Sequence, residues 1–365
     1  MPSADRMTHH PDTRLPQRVA LGVLLRSFPP VQVDRVLDAA ERREQRQRLL
    51  PARLMVYFTL GMWIFKALPY ELILGEILRD APGLALPAAD LEPASAAAIG
   101  RARRRLGVEP LRLLFEQAAG PAAAPGPADF HGLRPLRLGG LDVGVPATPA
   151  NLLGFGVGRP FSQSTANPVP PAARPVRTPV HARMGLLIED GTGRIAAADV
   201  EDGADEPPDR LLAGVLGAGD LLIMDERPLC ARLWSAVEKY GAQQLWPLQD
   251  VAQPSSATRL PDGSLLGKIP ADDGTEIVVR VLNRIGGRPG RLATSILDHR
   301  AASAVELAML HDQRRLGGTG FDGIGSYSGG DRLELRSKDP EMVRQELYAM
   351  LCVHHAIGDL IGPPR

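Results

Sequence analysis

The sequence predicts an α/β protein in two parts: an all-helical N-terminal third and a longer region in which strands alternate with helices. Three observations predict this. Apolar residues recur at helical spacing from about residue 17 to 118, an Ala/Gly/Pro-rich stretch (AAGPAAAPGPA) follows at 118–128, and short β-branched and leucine-rich runs bounded by turn residues begin beyond it. The chain has 365 residues, 44% of them hydrophobic and 23% charged, enough to bury a core in more than one domain. The domains are therefore set at 13–117, a linker at 118–128, and 129–361.

In the first part, Val19, Leu21, Leu24 and Leu25 form one apolar face before the break at Pro29-Pro30, and Val33, Val36 and Leu37 form the next. The charged run Glu41 to Arg48 reads as a self-paired surface helix, since Arg42, Arg43, Arg46 and Arg48 are interleaved with Glu41 and Glu44. Pro51 suits the first turn of a helix carrying Met55, Phe58, Met62 and Phe65. Its apolar stretch, Leu54 to Phe65, is far shorter than the ~20 residues that cross a bilayer. A short helix runs from Tyr70 to Leu78, and residues 81–93 read as a loop. Ser95 caps a helix through Ile99 to Leu106, Gly107 closes it, and Glu109-Pro110 opens the next.

In the second part, strands are predicted at Leu136–Val145, Val180–Ile188, Arg194–Val200, Asp220–Asp225 and Gln243–Leu248, with a long Pro/Gly/Ser loop at 154–178. Helices are predicted at Asp209–Leu216 and Cys230–Tyr240, giving the alternation of an α/β sheet. Residues 251–298 break that rhythm with turn-bounded strands, a β-rich insertion. Two helices end the chain, Ala301–Arg315 and one capped by Asp339 with Pro340 in its first turn.

Lys+Arg and Asp+Glu both number 42, so overall charge points to no polyanionic partner. Residues 1–120, however, hold 17 Arg and Lys against 13 Asp and Glu. Arg101, Arg103, Arg104 and Arg105 crowd one short helix, a pattern that suits contact with nucleic-acid phosphates or an ordinary solvated arginine face. Cys230 and Cys352 lack metal-ligand spacing, which argues against a zinc module or a disulfide scaffold and for a cytoplasmic protein. The N-terminus has no apolar segment of the signal-peptide type. Asp225 ends an apolar strand, where α/β folds place ligand and metal groups, and Asp142 lies on another strand that could neighbour it. Two converging carboxylates are the minimum for metal-assisted phosphoryl transfer; a helix cap or solvated strand end is the alternative for Asp225. The glycines from Gly317 to Gly325 have no preceding strand and no Gly-Lys-Ser/Thr, so they read as a loop.

The ordered segments resemble the insertion sequence four family of DDE transposases in its actinobacterial form. The likeness is carried by RLPQRVALGVLLRSFPPVQVDRVLDAAERREQRQRLLPARLMVYFTLGMWIF and RARRRLGVEPLRLLFEQAAGP in the first part. In the second it is carried by VPATPANLLGFG, the strand ending at Asp225 with Leu233-Trp234 following, LPDGSLLGKI, and LRSKDPEMVRQELYAMLCVHHAI. The resemblance implies a DNA-binding helical region, a ribonuclease H-like domain with a β-rich insertion, magnesium as cofactor if the protein is active, and the ends of an insertion sequence as partner. It places the protein with the nucleoid, outside membranes, with a homodimer as the assembly to test.

The family's three acids are carried over unevenly. The first falls on Gly139 when counted back from the Val-Pro-x-Thr-Pro-Ala-Asn text without a gap, and on Asp142 when the following turn is shortened by three residues. Asp142 is preferred because turns tolerate deletion. The second is Asp225. The third belongs to a Tyr-x-x-Arg-x-x-x-Glu-x-x-x-x-x-x-Lys helix, and setting His311 on the tyrosine gives Arg314, Gly318 and Gly325, so only the arginine is kept. The expectation is a catalytically degenerate transposase relative with Asp142 and Asp225 as the remaining metal-binding, catalytic-type residues and Arg101, Arg103, Arg104 and Arg105 as DNA contacts. The alternative is an active magnesium-dependent enzyme using Asp142, Asp225 and Asp322.

Overall fold

A computed structural model describes residues 15–44, 46, 48–84, 94–119, 130–156, 180–190, 192–201, 209–224, 229–248, 254–270, 273–285, 290–313 and 334–361. The chain divides into two compact units, one comprising Met1–Ala118 with Arg344–Gly362, the other Ala119–Val343 with Pro363–Arg365. The helical unit contains α1 (Leu15–Ser27), α2 (Pro30–Ala39), α3 (Ala52–Ile64), α4 (Tyr70–Asp80), a 3₁₀ turn (Pro82–Leu84), α5 (Ala96–Leu106), α6 (Glu109–Ala119) and most of the last helix, α11 (Pro340–Ile361).

Helix α3 is apolar on all sides because it is the centre of this unit: Leu54, Met55, Val56, Tyr57, Phe58 and Leu60 are all buried. Gly61 permits its close approach to α4, since a Cβ there would lie 2.8 Å from Ile77 Cδ1. The run Glu41 to Arg48 is not the helix that its charge pattern predicts. Helix α2 stops at Ala39, Glu41 takes a left-handed conformation (φ 55°), and the following charged residues form irregular backbone. Partners outside the run explain why: Arg43 pairs with Asp38 at 2.7 Å, and the Glu44 carboxylate accepts the Ala52 amide at 2.9 Å, capping α3. Ser95 caps α5 through the Ala98 amide, and Asp339 accepts the Glu341 amide at the start of α11.

The second unit is built on one mixed nine-stranded sheet, in the order β3-β2-β1-β4-β5-β9-β8-β7-β6. Its strands are β1 (Arg134–Val145), β2 (Val180–Glu189), β3 (Ile195–Glu201), β4 (Asp220–Met224), β5 (Gln243–Leu248), β6 (Ser255–Arg259), β7 (Leu265–Pro270), β8 (Glu276–Asn283) and β9 (Arg291–Thr294). β1, β4 and β5 run parallel, and β2 is antiparallel to both β1 and β3. Strands β6 to β9 fall within the β-rich insertion and extend the same sheet through the β5–β9 pairing.

Side chains alternate across β1 and β4, so each strand contributes to two cores. Leu136, Leu138, Leu222 and Met224 face α8 (Asp209–Leu212) and α9 (Ala231–Lys239), against Leu211, Leu212, Leu233, Trp234 and Val237. Leu221 and Ile223 face the other way, against Leu307 and Ala308 of α10 (Ala304–Gln313). Helix α8 is four residues long, shorter than the predicted Asp209–Leu216.

The segment VPATPANLLGFG forms the turn into α7 (Pro149–Phe155). Thr148 caps α7 through the Asn151 amide and donates its hydroxyl to the Lys338 carbonyl, while the buried Asn151 amide nitrogen donates to Pro146 O and Ser337 O. Gly154 makes this packing possible, because a Cβ would lie 2.5 Å from Pro340 Cγ.

Candidate functional site

The parallel pairing of β1 with β4 sets the geometry of the acidic candidates. Its register runs from Arg134–Asp220 to Leu138–Met224. Asp225 and Asp322 lie outside the described residues, as do Gly318, Arg314 and Gly325. Gly139 is the first β1 residue past the last paired position. Asp142 stands four residues beyond Leu138, on the order of 13 Å along the strand at ~3.3 Å per residue.

Asp142 also shares the face of Leu136 and Leu138, because the β1–β2 register is unbroken from Leu136 to Val145 and parity is preserved. That is the face of α8 and α9. Gly139 has the opposite parity, that of Leu221 and Ile223 in the α10 core, and brings no side chain to it. Directly across from Asp142 on β2 is Arg183, whose Nε lies 3.4 Å from Asp142 Oδ1.

The α10 face is polar at the end of β4, and its groups bond to one another. Arg137, buried on β1, donates to Asp190 at 3.1 Å and to the Leu310 carbonyl at 3.4 Å. His311, fully buried on α10, places Nε2 3.2 Å from the Met224 carbonyl. Its Nδ1 lies 3.2 Å from Asp312 Oδ1, which also accepts from Arg284 at 2.8 Å. Burial pushes the His311 pKa below the ordinary histidine value, with Arg284 and Arg137 acting in the same direction against Asp312 and the Met224 carbonyl. Asp312 is held below the usual carboxylate range: burial alone would raise it, but the bonds from Arg284 and His311 outweigh that. Sequence reasoning placed His311 on the family's tyrosine but missed its link to the end of β4; the signal available was its position on the apolar face with Leu307 and Ala308.

A magnesium site needs several oxygen ligands converging on one point. Among the described residues no group of three His, Cys, Asp or Glu side chains is arranged to hold a metal ion. Asp142 is faced by a guanidinium, and the β1 position beside the end of β4 is a glycine. The described residues therefore do not fit a two-metal site, and no step through such ions follows from them.

In the helical unit, the four arginines of α5 divide. Arg101, Arg104 and Arg105 are exposed. Arg105 is partly engaged, donating to the Leu50 carbonyl at 2.8 Å and lying 3.4 Å from Glu44. Arg103 is fully buried, donating to Tyr70 Oη at 3.1 Å and to Gln345 Oε1 at 3.3 Å. Its guanidinium is used within the protein and offers nothing to a phosphate. No described helix is long and apolar enough to cross a membrane.

Residues 18–116 match the family described as Insertion element 4 transposase N-terminal. Over 345 residues the chain is 26% identical to the transposase InsG for insertion sequence element IS4 of Escherichia coli strain K12, a match covering 90% of this chain and 74% of the relative. The chain is thus similar to IS4 transposases, through the family segment at 18–116 and through the relative along most of its length. Among solved structures, the cryo-EM structure of the piggyBac transposase synaptic complex with hairpin DNA matches with a TM-score of 0.43 and 11% identity, covering 94% of this chain and 74% of that one.

Proposed function

We propose that this chain is of the IS4 transposase family, binds the DNA ends of an insertion sequence through its helical unit and does not cut them. The observation that carries this reading is the β1–β4 register. An acid meeting the α10 side of the sheet at the end of β4 must stand at an odd-numbered position of β1, and the first such position past the paired region is Gly139. Asp142, the preferred candidate from the sequence, has the other parity and an arginine partner. Phosphodiester cleavage by two metal ions requires carboxylates that share one centre, since each ion must contact the reacting phosphate. With Gly139 as the first-acid position and Gly318 as the third, Asp225 is the single acid of the three that this chain keeps. The parallel β1, β4 and β5 flanked by antiparallel strands support a ribonuclease H-like origin for the sheet.

DNA binding is assigned to the exposed side of α5. Arg101 and Arg104, with Arg105 beside them, project from the helix turn that carries its C-terminal half. Each arginine that neutralises a phosphate releases counterions, so affinity falls with salt in proportion to the number of contacts. The test is equilibrium binding of the full chain to duplex DNA carrying the element's flanking terminal repeats, measured across salt concentrations with cleavage products scored in the same samples. Arg101→Ala with Arg104→Ala should flatten the log–log salt slope by about 2. An unchanged slope places the DNA surface elsewhere, and product formation that depends on Asp142, Asp225 and Asp322 establishes the active-transposase reading instead.

A further inference from the structure

The buried arginine of α5 is held by a residue 242 positions away. Arg103 Nε donates to Gln345 Oε1 at 3.3 Å, and Gln345 Nε2 donates back to the Arg103 carbonyl at 2.8 Å. Both side chains are fully buried. The Arg103 carbonyl is one of the last of α5 and also accepts the Gly107 amide, so Gln345 binds the helix at its C-terminal turn. On either side of Arg103 in sequence stand the exposed arginines, Arg101 to the front and Arg104 and Arg105 behind.

Other contacts of α11 continue along the helical unit. Trp63 Nε1 donates to the Glu346 carbonyl at 2.8 Å, the Phe115 ring packs 6.1 Å from Tyr348 and 5.6 Å from His355, and Cys352 Sγ lies 3.9 Å from the Leu111 carbonyl. Leu347, Ala349, Leu351 and Cys352 are buried completely. Residues 344–361 thus join α3, α5 and α6 in one core. The segment that matches the N-terminal transposase family ends at residue 116 and contains none of them.

We propose that the C-terminal helix is an integral part of the DNA-binding unit, with Gln345 and Arg103 as positioning residues that hold α5 so that Arg101, Arg104 and Arg105 face outward. This rests on the reading of α5 as the DNA surface. A buried guanidinium costs several kcal/mol of desolvation unless its donors are met, and Gln345 and Tyr70 accept from Arg103 where it turns inward. DNA binding by the N-terminal unit therefore depends on the far end of the chain, and a product truncated before Arg344 loses it although every residue of the N-terminal family segment is intact.

The test uses three variants of the full chain: Arg103→Met, Gln345→Leu, and the two together. Each single change removes one side of the Arg103–Gln345 pair and leaves the other buried without it, whereas the double change replaces both side chains with apolar groups of similar volume, which buried pairs often tolerate. Hydrogen exchange of the α5 amides and salt-dependent binding to duplex DNA are both measured. The proposal expects faster α5 exchange and about tenfold weaker binding in each single variant, with both restored in the double variant. Restored exchange with binding still as weak as in Arg103→Met overturns it, because Arg103 would then contact DNA itself. Unchanged α5 exchange in both single variants also overturns it. Failure of the unaltered chain to bind DNA at all removes the reading of α5 as a DNA surface, and the exchange data then stand separately as the measure of whether Gln345 holds the helix.

Discussion

Arginines in the two units are put to different use. On α5 three of four stay at the surface and one is turned inward, whereas at the C-terminal edge of β1 and β4 the charged side chains face partners of their own: Arg137 faces Asp190, Arg284 faces Asp312, and Arg183 faces Asp142. An exposed guanidinium can be reached by a polyanion, while charge paired inside the fold serves to position it. On the proposed reading the helical unit offers its exposed arginines to DNA, while Arg137, Arg183 and Arg284 of the sheet unit are paired within the protein.

The sharpest way to break this comparison is to remove a structural arginine from the sheet unit. Arg280 is fully buried on β8 and donates to Asp262, Ser264 Oγ, Ile296 O and Ala302 O, tying the insertion to the loop before α10. Arg280→Met should cost about 3–5 kcal/mol, because Asp262 is left without its cation. Urea unfolding measures it, and a loss below about 1 kcal/mol would show that the cluster is not what joins these segments.

The α5 side of the comparison predicts a smaller effect. Exchanging Arg101 and Arg104 for Ala should weaken duplex binding at low salt and leave the unfolding midpoint within about 0.5 kcal/mol, as for other surface positions. A large loss of stability would make these arginines structural, like Arg103.

Acid adds a third test. Asp262 has its pKa lowered to about 2: burial would raise it, but the Ser264 hydroxyl, the Ala304 and Ser264 amides and the Arg280 guanidinium prevail. A depressed carboxylate contributes stability that is fully present above its unfolded value of about 3.8 and is lost as pH falls through about 2. After screening by solvent this is on the order of 1–2 kcal/mol. Stability measured from pH 5 down to pH 2 should fall less steeply in Asp262→Asn than in the unaltered chain; parallel curves would contradict the assignment. Asp142→Asn weakens the partly exposed pairing with Arg183 and should change stability by under about 1 kcal/mol while leaving DNA binding as it was.

Much of this architecture was legible in the residues. Ser95 and Asp339 mark helix starts because their short side chains reach an amide two or three residues on, and the apolar runs at 136–145 and 220–224 mark strands because both faces of the sheet are covered. The inward turn of Arg103 was also within reach: it lies four residues after Ile99 and three before Leu106, on the apolar stripe of α5, but its charge drew attention to solvent. What sequence could not supply was pairing across distance. Nothing local says that Arg183 stands opposite Asp142, that the His311 ring meets the Met224 carbonyl, or that Gln345 meets Arg103, since each contact is made by folding segments 41, 87 and 242 residues apart. The charged run Glu41 to Arg48 failed for the same reason: its spacing suits a helix, yet Asp38 and the amide of Ala52 outside the run take its charges.

The most direct measurement is magnesium- and manganese-dependent cleavage of DNA carrying the flanking terminal repeats, comparing the unaltered chain with Asp225→Ala and Asp142→Ala. Stable binding with no product above the Asp225→Ala background, in all three, is the predicted result. Product that disappears in both variants would contradict it and place Asp142 with Asp225 in a working active site.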